Sequence, residues 1–299
     1  MKNLAIFLLS LLWITQSMGI NAGSLRGHKD GQIYLGVVSP RGFENTYKRY
    51  APLAKYFSEK TGKAFKIVPL DHPNNLPYLR DGKIDFLLTN PTIAATIYKT
   101  TSARFLATLH KPSGYQFGGV IFAKKGAGIT DIRDLKDKRV LTFKIRKSAG
   151  AHIFQSYHLL QQGIDGSNYF NWLRAAKTQD YVVEGVLRGH ADAGFVRTGI
   201  LEQLDREGKI KLSDFVILDQ VLDSQYPQVH STALYPEWFL IAGEDVEAQL
   251  MNQTKKSALA ITPDMNVAKS VNIKGFVKPQ PIQPLINVLT TLRIPPFDQ

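Results

Sequence analysis

An apolar run that stops abruptly at a polar corner constrains this chain most: Ile84-Asp85-Phe86-Leu87-Leu88-Thr89-Asn90-Pro91-Thr92. A short apolar run closed by turn residues reads as a buried strand. Asn is a preferred N-cap and Pro a preferred first helical residue, so the corner predicts a strand that delivers a helix N-terminus to a sheet edge. Unpaired N–H groups and the positive end of the helix dipole attract anions there, which makes Asn90 a candidate ligand-binding residue.

Strand-like and helical runs alternate along the chain. Strands are expected at Ile33–Val38, Phe65–Val68 and Ile84–Thr89, with helices at about Glu44–Lys60 and Asn75–Arg80 between them. This βαβαβ order predicts an α/β fold with a mainly parallel sheet and helices on its faces. A second series follows. Strands are expected at Gly118–Ala123, Val140–Phe143, Ala191–Val196 and Phe215–Leu218, and helices at Asp131–Asp137, Ala149–Gln162, Asp180–Arg188 and Gly199–Glu207. The length suits two lobes rather than one domain. Helices at about Glu244–Ala260 and Gln283–Leu292 are expected to cap a lobe rather than build a third domain.

Three further corners carry anion chemistry. Lys144-Ile145-Arg146-Lys147-Ser148-Ala149-Gly150 follows a strand and opens a helix, combining a hydroxyl, a small-residue turn and cations. That set suits a tetrahedral oxyanion, although Ser148 in this position is equally an ordinary N-cap. Ser39-Pro40-Arg41-Gly42 ends the first strand, and Arg197-Thr198-Gly199 ends a strand of the second series. Both put a guanidinium at the carboxyl edge of the strands, where open α/β sheets bind ligands. Tyr47, Tyr50, Tyr115 and Trp238 are aromatics for a cleft or for packing, with Tyr115 the best placed for a cleft because it lies beside Gly114 near an expected lobe crossover.

Composition narrows the function classes. The 299 residues hold 37 basic and 25 acidic side chains, a net charge of +12, and no cysteine. Without cysteine there is no disulfide, thiolate metal site, thiol nucleophile or acylated cysteine anchor. The basic residues are dispersed among acids, which suits steering of small anions more than a grip on nucleic acid. The seven histidines show no metal-ligand spacing, and neither a Gly-x-Ser-x-Gly elbow nor a His-Glu-x-x-His motif is present, so no enzyme activity, metal or cofactor is expected. Lys2 followed by the apolar run Leu4–Ile14 and a small-residue exit reads as a cleaved secretory leader over residues 1–23. Because an exported binding protein without a lipid tether would diffuse away from a cell lacking an outer membrane, a Gram-negative periplasmic location is expected.

A family resemblance becomes specific at Val229-His230-Ser231-Thr232-Ala233-Leu234-Tyr235-Pro236-Glu237-Trp238. Together with the Arg-Gly loop, the Asn-Pro corner and the Ser-Ala-Gly loop, this segment resembles the phosphate/phosphonate-type (PhnD-like) periplasmic binding proteins. Among these it is most similar to the sensory domains of tetrathionate-sensing histidine kinases, whose pattern includes Ser-Thr-x-Leu-Tyr-Pro-Glu-Trp. The resemblance implies a two-lobed periplasmic-binding-protein (type II, Venus-flytrap) fold with two crossover strands. Lobe 1 would comprise residues 30–117 plus 228–299, and lobe 2 residues 118–227. It also implies that Arg41, Asn90, Ser148, Ala149, Gly150, His230, Ser231 and Thr232 face the cleft. This chain departs from many relatives in having Phe239-Leu240 after Glu-Trp and Phe276 near the end.

The leading expectation is a monomeric solute-binding protein that captures a small oxyanion and delivers it to a membrane ABC permease. The alternative is a ligand-sensing partner of a sensor kinase. A periplasmic hydrolase using Ser148 with a distant histidine is a rival from another class, and a basic surface-interaction protein is a third.

Overall fold

The computed structural model describes residues 31–39, 42–71 and 75–299. The expected leader at 1–23 and the Arg41 guanidinium lie outside the described residues.

The chain begins with β1 (Ile33–Val38), α1 (Phe43–Thr61), β2 (Phe65–Leu70), α2 (Asn75–Arg80), β3 (Phe86–Thr89), α3 (Pro91–Thr100) and β4 (Arg104–His110). A two-residue strand, β5 (Gln116–Phe117), then crosses to β6 (Gly119–Lys124) and β7 (Arg139–Phe143). A π-helical turn at Ala149–Ile153 runs into α4 (Phe154–Gln161) and is followed by β8 (Trp172–Ala176), α5 (Gln179–Leu187), β9 (Ala193–Arg197), α6 (Ile200–Arg206) and β10 (Phe215–Leu218). The return crossing is β11 (Tyr235–Pro236), which leads into β12 (Phe239–Ala242), α7 (Ala248–Leu259), α8 (Asn266–Val271), β13 (Gly275–Val277) and α9 (Gln283–Thr291).

These strands form two main sheets, ordered β13-β4-β12-β3-β1-β2 and β10-β6-β9-β7-β8, while β5 and β11 pair antiparallel in the hinge. The fold is thus two-lobed α/β with two crossover strands, as expected. The sheets are mixed rather than mainly parallel in their pairing. In the first, β12 inserts antiparallel between β3 and β4; in the second, β6 lies antiparallel between β9 and β10. The cause is topological: β6 and β12 each enter their sheet straight from the hinge and therefore run opposite to strands that end at it.

The predicted corner forms because Asn90 caps α3, its Oδ1 accepting from the N–H groups of Thr92 (3.0 Å) and Ile93 (3.2 Å), with Pro91 opening the helix. All four residues of β3 are buried, as expected of a strand covered on both faces. One face packs Phe86 and Leu88 against α1, α7 and α8 through Leu53, Phe57, Ala258 and Val271. The other packs Leu87 against α2 and α3 through Leu79, Ala94 and Ile97. In the second sheet, Val182, Val186, Leu201 and Leu204 cover one face, and Ile132, Leu135 and Leu159 the other.

Several local expectations are corrected. The Asp131–Asp137 helix is a single 3-10 turn at Ile132–Leu135, closed by reciprocal hydrogen bonds between Asp131 and Asp134. Strands β4, β8, β12 and β13 and the short hinge strands β5 and β11 went unread; β8 is a half-exposed edge carrying Arg174, with no clean alternation. The last helix does not simply cap one lobe. Leu285, Val288 and Leu289 of α9 pack with Ala95 of α3, Phe117 of β5, Phe154 of α4 and Tyr235 of β11, so α9 backs the hinge and touches both lobes. Each large apolar side chain buried there contributes about 1.5–3 kcal/mol. Among the described residues, no helix is long and apolar enough to cross a membrane.

Candidate anion-binding cleft

A cleft of about 1190 Å³ opens between the two sheets at the hinge. The first lobe contributes Ser39 after β1, Asn90 before α3 and Lys111 after β4; the second contributes Ser148 after β7, Thr178 after β8 and Arg197 at the end of β9. Each sits at the carboxyl end of a strand, where the chain turns away and leaves polar groups over the sheet edge. Among the described residues, six cations line the space (Arg49, Lys111, Lys144, Lys147, Arg197, Arg206) against three carboxylates (Asp71, Asp180, Glu202). The balance favours an anionic guest.

The floor is organised by a carboxylate that does not itself line the cleft. Glu237 follows β11, is fully buried, and takes Lys111 on one oxygen (2.9 Å) and Arg197 on the other (2.8 Å). Its backbone N–H donates to the Tyr115 carbonyl at 2.9 Å, which fixes it to the outgoing crossover. Burial alone would raise the Glu237 pKa, but Lys111 and Arg197 outweigh it and hold the carboxyl below the ordinary range. Burial, followed by the charge of Arg197, pushes Lys111 down to about 8, with Glu237 pulling the other way. Lys111 also lies over the Trp238 ring at 5.4 Å, and Arg197 over Phe117 at 4.6 Å. Tyr50, raised chiefly by burial, and Arg49 complete the wall.

The loop after β7 has two faces. Lys144, Lys147 and Ser148 face the cleft, and no side-chain hydrogen bond caps the turn at Ser148, in contrast to Asn90. Arg146 turns the other way and donates to the carbonyls of Leu292 (3.4 Å) and Arg293 (2.6 Å). Positive φ at Lys144 (48°) and Arg146 (59°) produces this reversal, and His152 Nδ1 accepts from the Arg146 N–H at 3.3 Å. Ala149 and Gly150 line the cleft, and glycine is needed at 150 because a Cβ there would lie 2.7 Å from the Phe117 ring and 2.9 Å from the Gly118 carbonyl.

Of the residues singled out from sequence, the fold brings Ser39, Asn90, Ser148, Ala149, Gly150 and Arg197 together around one cleft. Tyr115 is 40% exposed and meets His110 edge-on, outside the lining. His230, Ser231 and Thr232 are buried beside β6 rather than in the lining: Ser231 Oγ accepts from the Ile121 N–H and Thr232 Oγ1 from the Gly119 N–H, both at 2.9 Å. His230 Nδ1 sits 2.8 Å from the Thr232 carbonyl. Lys111, Arg49 and Glu237 were missed. Glu237 lay within the quoted Tyr-Pro-Glu-Trp run, but nothing in the sequence paired it with Lys111.

Comparison with known proteins agrees with this architecture. A family model described as "ABC transporter, phosphonate, periplasmic substrate-binding protein" matches residues 35–283. The tetrathionate sensor histidine kinase TtrS of Salmonella typhimurium is 28% identical over 245 residues, 76% of this chain; the chain spans 39% of that relative's length. PhnD1 from Prochlorococcus marinus, solved with methylphosphonate, superposes with a TM-score of 0.69 at 17% identity, covering 88% of this chain and 98% of the other. A Xanthomonas citri protein bound to ATP gives 0.72 at 16% identity, covering 88% and 98%. At these identities the two structures speak for the fold, whereas the family model covers most of the chain. The chain belongs to the family of periplasmic substrate-binding proteins of phosphonate ABC transporters.

Proposed function

We propose that this protein is a non-catalytic receptor that captures a small oxyanion, a phosphonate or a sulfur oxyanion, between its lobes in the periplasm and presents it to a membrane partner. The observation that carries this reading is the convergence of Lys111 from the first lobe and Arg197 from the second on one cleft floor, below a rim of further cations. An anion contacting both lobes stabilises the closed state by its differential contacts, which is what a two-lobed receptor requires. Family membership supports delivery to an ABC permease.

A second reading is favoured by one specific observation. The curated relative is a tetrathionate sensor histidine kinase, so the same capture could report to a kinase instead of an importer. Uptake of labelled anion that fails on gene deletion supports transport; loss of an anion-induced transcriptional response with uptake intact supports sensing.

The ligand class is tested by a thermal-shift screen against phosphate, methylphosphonate, sulfate, thiosulfate and tetrathionate at fixed ionic strength. A ligand at about 100 times its Kd adds roughly 2.7 kcal/mol, a shift of a few degrees. A selective shift supports the reading, and equal small shifts that vanish with salt contradict it.

A further inference from the structure

Glu237 presents a sign problem for an anion receptor. A fully buried negative charge touches both cations of the cleft floor, Lys111 and Arg197. Simple charge counting says it weakens binding. The geometry argues the opposite. Lys111 and Arg197 come from different lobes and would repel each other at close range in a poorly hydrated floor. Arg49 from α1 adds a third positive charge, and Tyr50 closes the same wall. Glu237 spends one oxygen on each cation, so Lys111 keeps two further N–H donors and Arg197 most of its fork for the cleft. Their partial exposure, 17% and 23% of the side chains, shows that both still face the space.

Resting on the reading of the cleft as an anion site, we propose that Glu237 is a positioning residue that holds Lys111 of one lobe and Arg197 of the other as a preassembled anion clamp and keeps Lys111 charged. The cost of gathering two cations is met before the ligand arrives, and anion binding therefore depends on a carboxylate of the ligand's own sign. Among the charged groups facing Lys111, Arg197 and Arg49 push its proton off and Glu237 retains it. Removing the carboxylate leaves Lys111 neutral at lower pH.

The test uses calorimetric titration of the wild type, Glu237→Gln and Glu237→Asp with tetrathionate, sulfate and methylphosphonate from pH 6.5 to 9.5. Tetrathionate and sulfate hold constant charge across this range, so any alkaline loss of affinity belongs to the protein. For whichever of these probes binds the wild type, Glu237→Gln is expected to weaken binding roughly tenfold at pH 7.5 and to move the alkaline loss down by on the order of one pH unit. Glu237→Asp, which keeps the charge on a shorter arm, should restore part of both. Equal or tighter binding by Glu237→Gln, or an unmoved alkaline limb, overturns the proposal. In parallel, the Lys111 Cε signal is titrated by NMR without any anion, and its midpoint should fall in Glu237→Gln. An unchanged midpoint overturns the proposal even if no anion binds the wild type, whereas failure of all the probes with a lowered midpoint rejects the anion-receptor reading alone.

Discussion

Arg146 reaches past the hinge to donate to the carbonyl of Arg293 at 2.6 Å, joining the loop that edges the cleft in the second lobe to the segment that ends α9. The same guanidinium meets Leu292 at 3.4 Å, and Lys99 from the first lobe donates to Pro296 at 2.5 Å. The last residues therefore act as a strap held from both lobes, with Arg146 placed at the carbonyls just past the end of α9 and Lys99 at one further along.

Removing the second-lobe anchor should loosen that strap. Arg146→Ala is expected to lower stability by about 1 kcal/mol and to speed amide exchange in residues 283–297 more than elsewhere. Exchange unchanged in that segment would show that the apolar packing of α9 alone holds it.

Gly150 has no room for a side chain. Gly150→Ala should cost about 1–3 kcal/mol, read as a lower denaturant midpoint with unchanged slope, because Phe117 and the Gly118 backbone would have to move. A neutral substitution would mean that the π-helical turn can slide away from the hinge strand.

His152 should impose an acid limit on stability. Burial first, then the Arg146 charge, depress its pKa to about 4 from the ordinary 6.5. The unfolded chain takes up a proton that the folded chain refuses, so stability is fully present above 6.5 and is lost as pH falls toward about 4. The loss amounts to at most about 3 kcal/mol. Replacing the imidazole by the non-titrating His152→Gln should flatten the dependence of the denaturant midpoint between pH 6.5 and 4; an equally steep fall in the variant would place the acid sensitivity elsewhere.

Ser231 distinguishes scaffold from site. Its hydroxyl satisfies the buried Ile121 N–H, so Ser231→Ala should cost roughly 1–3 kcal/mol of stability. A selective loss of anion affinity at unchanged stability would instead put the hydroxyl in the cleft.

The fold was legible wherever local chemistry decides it. Asn90 and Pro91 write a helix start into adjacent residues, and β3 announces its double-sided burial by an unbroken apolar run. Pairing was less legible: β6 reads like any other strand and β12 was not read as a strand, and only their entry from the hinge makes them antiparallel. The site divides the same way. Ser39, Asn90, Ser148 and Arg197 stand at strand ends that spacing reveals. Lys111 and Glu237 are far apart in sequence, and their meeting depends on two crossings of the hinge. Arg146 sat in the right loop but faces the other way, because two left-handed residues turn the backbone there.

The central claim is that one anion bridges both lobes, and calorimetry of two variants outside the Glu237 trio tests it most directly. Arg49→Gln alters only the first lobe and Lys147→Gln only the second, and both residues line the cleft. With the anion that gives a selective thermal shift, each substitution should weaken binding roughly tenfold while the protein stays folded by circular dichroism. Affinity that falls in only one variant, or in neither, would contradict capture between the lobes.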